Sequence, residues 1–405
     1  MIKTQHKKII PGFHLLAKPT GAVCNLDCQY CFFLSKEALY PGSRFRMSEE
    51  LLKTYIKQLF EAHDTQVVTV PWQGGEPTMM GLDYFRKAVK YTEGFKKPGQ
   101  RIIYTLQTNG TLLDDEWCAF LKEHDFLVGI SIDGPQGMHD AYRVDKKGKG
   151  SFDWVVRGWE CLKKHNVEVN ILCAVHAANE IHPLEVYRFF RDILGANFIQ
   201  FIPIVEPVND KKTKKTDMNN QDVSPVTDRS VRSGQYGQFL IDIFEEWIRR
   251  DVGRIFVQLF DVALGNWMGQ HTLCVHTPIC GGSLALEHNG DIYSCDHFVD
   301  PAYRLGNIRE TSLIDLIASP QQIKFGKDKL DTLPGYCKDC EVNFSCYGGC
   351  PKDRLIKTPD GEPGLNYLCA GYKAFFKHIA QPMKMMAELL RKHQNPDHIM
   401  NWYAA

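Results

Sequence analysis

From His14 to about Pro207 short apolar runs alternate with segments whose apolar residues return every three or four positions, which predicts repeated strand–helix units around a parallel sheet. Strands are predicted over His14–Lys18, Val67–Val70, Ile102–Leu106, Leu127–Ile132, Val169–Val175 and Phe198–Ile202. Between the first two, Ser48 is a candidate helix cap with Glu49 and Glu50 in the first turn. Leu51, Leu52, Tyr55, Ile56, Leu59 and Phe60 would line one face of that helix. Further crossover helices centre on Tyr84, Trp117, Trp154 and Val186. Six right-handed units make an open doubly wound sheet or a partial barrel, and both bind ligands at the C-terminal ends of their strands. The unusual sequence falls there: Cys24 to Cys31 after the first strand, Gln73 to Pro77 after the second, Gln107 to Asn109 after the third, and Ser131 and Asp133 at the end of the fourth. The stretch 209–233 is polar, carries Lys211, Lys212, Lys214 and Lys215, and lacks an apolar period, so it reads as a mobile, solvated surface insertion. Tyr236–Arg249 and Ile255–Met268 are predicted helical and lead into a second cysteine-rich region.

Composition narrows the classes. The chain has 405 residues, 44% hydrophobic and 24% charged, enough for a catalytic domain and a smaller partner. Its 48 basic and 48 acidic residues cancel, which disfavours nucleic acid or an anionic membrane as partner. The opening residues are too polar for a signal peptide and no run approaches a membrane span, so a cytoplasmic protein is expected. Fourteen cysteines in such a chain point to metal or cluster ligation rather than disulfides. Cys118, Cys161 and Cys173 lie in apolar periodic segments and read as small core residues; the other eleven fall in two groups.

Cys24, Cys28 and Cys31 form C-x3-C-x2-C, with Tyr30 before the last. Three thiolates at this spacing can hold three irons of a four-iron cluster and leave the fourth open, and the alternative is zinc. With Gly74-Gly75-Glu76-Pro77 after the second strand, the motif resembles the radical S-adenosylmethionine superfamily. The resemblance implies that the open iron is chelated by S-adenosylmethionine, whose reductive cleavage yields a 5′-deoxyadenosyl radical. It also implies that the glycines of Gly74 to Pro77 let backbone approach the methionyl amine, with Glu76 in the same segment. Tyr30, Gly75, Ser131, Arg143 and Ile204 would contact the cofactor in the same way.

The downstream order is Cys274-x5-Cys280-x14-Cys295, then Cys337-x2-Cys340-x5-Cys346-x3-Cys350-x18-Cys369. Eight ligands suffice for two closed four-iron clusters or for two zinc sites, and spacing alone does not separate them. In company with Gly290 the array resembles the SPASM domain of peptide-modifying radical enzymes. This implies one auxiliary cluster on Cys274, Cys280, Cys295 and Cys350 and another on Cys337, Cys340, Cys346 and Cys369, three 4Fe–4S clusters in all. The chain would then divide into a partial (β/α)6 TIM-like barrel over 1–233, a helical linker over 234–270, the SPASM domain over 271–371 and a helical tail over 372–405.

Cys24 to Phe33, Trp72 to Pro77, Gln107 to Gly110 and Ser131 to Pro135 further resemble the anaerobic sulfatase-maturating enzymes. That family oxidises a cysteine or serine of an unfolded or nascent sulfatase, within Cys-or-Ser-x-Pro-x-Arg, to Cα-formylglycine. Electrons come from a donor such as flavodoxin or ferredoxin. The resemblance makes Asp296, directly after Cys295, the base that takes the substrate proton. Partial desolvation is expected to raise its pKa. A SPASM enzyme that forms thioether crosslinks or epimerises residues is the nearest alternative, against which stand Asp296 and the short stretch of about 23 residues before Cys24, too short for a peptide-recognition domain. A zinc-stabilised binding protein leaves Gly74 to Pro77 and the six-strand rim unexplained.

Overall fold

A computed structural model of the chain describes residues 12–208 and 224–404. The Lys211 to Lys215 group and most of the expected insertion lie outside these residues.

Local chemistry sets the elements. The Ser48 hydroxyl accepts from the Leu51 amide at 3.2 Å and opens α1 (Glu49–Ala62), whose six predicted apolar residues are all buried. Such a cap contributes about 1 kcal/mol, and each fully buried Leu, Ile or Phe about 1.5–3 kcal/mol, so the face and not the cap holds the helix in place.

The six predicted strands are present as β1 (His14–Lys18), β2 (Val67–Trp72), β3 (Arg101–Thr108), β4 (Leu127–Ser131), β5 (Glu168–Val175) and β6 (Phe198–Pro203). They are parallel and paired in chain order. Each crossover carries a helix outside the sheet: α1, then α2 (Leu82–Phe95), α3 (Asp115–Glu123), the short α4 (Gln136–Asp140) with α5 (Phe152–Lys164), and α6 (Pro183–Arg188). Val68, Val70, Val128 and Ile130 point into the layer between sheet and helices and are at most 1% exposed.

Three features depart from the sequence reading. Ile255–Met268 is not one helix: β7 (Phe256–Val257) first pairs with β6, then α8 (Gln258–Trp267) follows α7 (Ser233–Arg250). The β-branched and aromatic run serves the open edge of β6, where the Phe256 amide bonds the Asn197 carbonyl at 2.7 Å. Residues 224–233, assigned to the insertion, are packed: Val226 bridges to Pro207, and Val226 and Val231 are buried.

The third departure positions the site. The C-terminal strands β8 (Ser283–Glu287), β9 (Asp291–Tyr293) and β10 (Arg304–Asn307) continue the same sheet, which runs β10-β9-β8-β1-β2-β3-β4-β5-β6-β7. β8 lies parallel to β1 with Leu15 opposite Leu284 and Ala17 opposite Leu286. The cysteine-bearing C-terminal region is therefore hydrogen-bonded to the first barrel strand rather than merely docked on it. It also returns to α7 through the helix that starts at Cys369, where a Cβ on Gly371 would meet the Ser233 carbonyl oxygen at 2.1 Å.

Candidate active site

The loop from Pro19 to Phe33 leaves β1 at the C-terminal rim and is fixed from behind by backbone. The Gly75 amide donates to the Gly21 carbonyl at 2.8 Å and the Glu76 amide to that of Val23 at 3.0 Å. A Cβ on Gly75 would lie 2.0 Å from the Val23 oxygen. The glycine is required by this approach to the cysteine loop, a packing duty in addition to the one the resemblance implies. Glu76 has a packing duty as well. Its carboxylate is fully buried and accepts from the Thr78 amide and hydroxyl, the Thr108 hydroxyl and the Asn109 amide at 2.7–3.0 Å. Three of these bonds fall on Oε1 and one on Oε2. Glu76 thereby locks the second and third rim segments together.

Cys24, Cys28 and Cys31 lie close enough to act on one another electrostatically, and all three are partly exposed. Burial, with Glu76 adding to it, pushes the Cys24 thiol up to about 12; burial pushes Cys28 up to about 11, against the pull of Arg143. Thiols so placed are neutral unless a cation stabilises the thiolate, which is what a cluster iron does. Asn109 reaches Cys24 at 3.6 Å and Asn25 at 2.8 Å, so the second and third rim segments both contact the cysteine loop.

Beside them lies a buried charged group that the sequence reading placed on the rim without a role. Asp133 accepts from the Tyr30 hydroxyl, from Arg143 Nε at 2.9 Å and from the Ala174 amide at 3.0 Å, with His176 Nε2 at 3.5 Å. Burial would raise its pKa, but the Arg143 guanidinium and His176 outweigh this and hold the carboxyl well below the usual range. Arg143 in turn lies 3.9 Å from Cys28 Sγ and over the Tyr30 ring. Tyr30 and Arg143 are thus brought together by Asp133. Ser131 accepts from Gln107 at 3.1 Å on the same rim, and Ile204, half-buried, follows the end of β6.

The downstream cysteines fall into two sets in space. Cys295 is influenced by Cys350 and Cys274, and Cys280 by Cys274. Cys346 is influenced by Cys369, Cys337 and Cys340, and these four line one pocket with Tyr336, Asn366 and Lys373. Two cations attend them, Lys329 buried and Arg354 half-buried. Lys329 donates to the carbonyls of Cys274 and Val275, and Arg354 lies in the field of Cys337, Cys350, Cys280 and Cys346. Four thiolates around a four-iron core leave net negative charge, and Lys329 and Arg354 offset it, so both sets suit such a group.

Asp296 lies between the two regions. It is buried, ion-paired to Lys18 at the end of β1, and Gln73 Nε2 approaches it at 3.4 Å. Burial alone would raise its pKa, but the Lys18 ammonium, with His297 adding to it, lowers it below the ordinary carboxylate value. The expected upward shift is therefore overturned. The sequence signal was available: Lys18 is a charged residue ending an otherwise apolar strand, and it is 1% exposed. Its ammonium also sits 3.8 Å from the centre of the Phe33 ring, and Phe33 packs with Ala22, Ala285, Tyr293 and Val299. The first cysteine loop and the β8–β9 hairpin therefore share one small apolar core, with Lys18 and Asp296 at its edge.

Comparison with known proteins places this geometry in a family. The model of the radical SAM superfamily matches residues 19–190, and that of the SPASM iron–sulfur cluster-binding domain matches 274–341. A serine-type anaerobic sulfatase-maturating enzyme of Bacteroides thetaiotaomicron is 43% identical over 404 residues, covering 99% of this chain and 97% of that protein. A cysteine-type anaerobic sulfatase-maturating enzyme of Clostridium perfringens is 33% identical over 373 residues, 91% of this chain and 96% of that one. Among solved structures, native anSMEcpe with bound AdoMet and Cp18Cys peptide superimposes with a TM-score of 0.82 at 32% identity, covering 94% of this chain and all of that one. Streptococcus suis SuiB bound to precursor peptide SuiA shares the fold at TM-score 0.60 and 15% identity.

Proposed function

The chain belongs to the anaerobic sulfatase-maturating enzymes of the radical S-adenosylmethionine superfamily, and from that premise we propose how its own residues oxidise a cysteine or serine of a sulfatase polypeptide to Cα-formylglycine. It is a radical enzyme that uses 4Fe–4S clusters and S-adenosylmethionine. Cys24, Cys28 and Cys31 would hold the cluster with the open iron. Cys274, Cys280, Cys295 and Cys350 would hold one auxiliary cluster, and Cys337, Cys340, Cys346 and Cys369 the other. When bound, these groups supply a hydrogen-abstracting radical and an acceptor for the substrate's remaining electron.

The polypeptide does the rest. Tyr30 and Arg143, pinned by Asp133, form the polar wall beside Cys28 against which S-adenosylmethionine is oriented, with Ser131, Gly75 and Ile204 on the same rim. Asp296 takes the proton from the substrate thiol or hydroxyl. With one hydrogen atom, one proton and one electron removed, serine becomes the aldehyde; cysteine becomes a thioaldehyde that water converts to the aldehyde and hydrogen sulfide. Lys18 keeps Asp296 ionised, so that it is ready to accept a proton, and Gln73 aims it. The observation that carries this assignment is the place of Asp296, between the first cysteine loop and Cys295.

Eleven cysteines committed to clusters require a reducing compartment, which supports a cytoplasmic location and a flavodoxin or ferredoxin as electron source. No helix among the described residues is long and apolar enough to cross a membrane, and the basic and acidic residues balance, which supports a partner that is neither membrane nor nucleic acid. Incubation of the reconstituted enzyme with S-adenosylmethionine, dithionite and a Cys-or-Ser-x-Pro-x-Arg peptide tests the reading. An aldehyde trapped as a hydrazone is expected; deoxyadenosine with a crosslinked or epimerised peptide and no aldehyde would refute it.

A further inference from the structure

We propose that the outer helical layer carries a zinc site, formed by Asp115 of α3 with Cys161 and His165 at the end of α5. The sequence reading took Cys118, Cys161 and Cys173 alike as core residues. Cys118 and Cys173 are fully buried, but Cys161 is only half-buried and stands among polar groups.

The ligand atoms of Asp115, Cys161 and His165 all lie within 4.8 Å of one another. His165 Nε2 is 2.7 Å from Asp115 Oδ1, and Cys161 Sγ is 3.7 Å from the same oxygen. Helix geometry accounts for the convergence. Cys161 and His165 are four positions apart and so share one face at the C-terminal turn of α5, and Asp115 opens α3 opposite them. An aspartate–histidine ion pair alone would not need the thiol. Added to it, the thiol completes a nitrogen, oxygen and sulfur set, the mixture preferred by zinc and similar borderline divalent cations. Bond lengths of about 2.0–2.3 Å place tetrahedral zinc ligands about 3.4–3.8 Å apart, so shifts of about 1 Å bring these atoms to bonding distance.

The surroundings fit the same reading. Cys118 lies behind Cys161 and bonds to its sulfur, a partner that orients a metal thiolate. A carboxylate and a thiolate would neutralise the cation. Lys164 Nζ, 2.7 Å from Asp115 Oδ1, competes for that oxygen, but its side chain is two-thirds exposed and can swing into water. Solvent on the outer side leaves a fourth position for water. The site would clip the start of α3 to the end of α5, both outside the sheet. The cysteine rim lies at the strand ends, so the clip is separate from the chemistry.

The test is zinc content of the holoenzyme, reconstituted with iron and sulfide and then equilibrated with zinc sulfate and desalted, for wild type, Cys161→Ser and His165→Ala. About one zinc per wild-type chain is expected beside about twelve irons. In each variant zinc falls to under about a tenth, with iron and deoxyadenosine formation unchanged. X-ray absorption at the zinc edge should show a mixed shell of sulfur with nitrogen and oxygen. No retained zinc in the wild type, equal zinc in wild type and variants, or a sulfur-only shell would each overturn the proposal.

Discussion

Around Cys24, Cys28 and Cys31 the polar side chains are spent on one another: Tyr30, Arg143 and His176 on Asp133, and Thr78, Thr108 and the Asn109 amide on Glu76. Around the eight downstream cysteines the charged groups pair two by two, Asp296 with Lys18 beside Cys295 and Asp353 with Lys352 beside Cys350. Those thiols face each other in fours, attended by Lys329 and Arg354. Three thiols with a polar wall make a place where a further ligand can bind, whereas four thiols that face one another make a closed site. The difference teaches that cysteine count alone says little about duty. What stands beside the cysteines separates a site for chemistry from a site for electron transfer.

If this contrast holds, damage to the two regions should differ in kind. The largest effect is expected for Cys28→Ala, which should abolish deoxyadenosine formation as well as aldehyde, read by chromatography of the reaction. Cys340→Ala should lower iron from about twelve to about eight per chain while deoxyadenosine formation persists and aldehyde yield collapses. Equal loss of both products in the two variants would erase the distinction.

A smaller effect is expected for Asp133→Asn. The substitution leaves the buried Arg143 without its carboxylate, a class of change that costs about 3–5 kcal/mol when fully expressed. Enzyme that remains folded should show a KM for S-adenosylmethionine raised about 10- to 100-fold, the range expected for hydrogen bonds to charged groups. A normal KM would remove the network from cofactor orientation.

The smallest effect concerns pH. His139 is buried, accepts from the Asp133 amide at Nδ1 and pairs with the Ser151 hydroxyl through Nε2, so the neutral ring is fully satisfied. Burial lowers its pKa to about 3. The unfolded chain therefore takes up the proton first, and the stability the neutral ring contributes is whole above about 6.5 and falls as pH drops toward about 3. His139→Gln should flatten that part of the thermal-stability profile; an unchanged slope would contradict the assignment.

Much of this was legible in the sequence, and for physical reasons. The six strands and the α1 face follow from periodicity, which is local. The resemblance to sulfatase-maturating enzymes rested on contiguous motifs such as Trp72 to Pro77. What escaped was long-range. Nothing local shows that β8 would pair with β1, some 270 residues away, nor that Lys18 would thereby face Asp296 and reverse its expected pKa shift. A second neighbour of Gly75 also escaped, because the Val23 carbonyl it must admit is distant in sequence. Cys161 was hidden by the apolar period of its own helix, and the carboxylate that joins it and His165 comes from α3.

The central claim is that Asp296, held between the two cysteine regions, handles the substrate proton. The most direct measurement is the ratio of aldehyde to deoxyadenosine formed by Asp296→Asn with its full iron content. The account predicts continued deoxyadenosine formation with aldehyde suppressed, whereas an aldehyde-to-deoxyadenosine ratio equal to that of the wild type would contradict it.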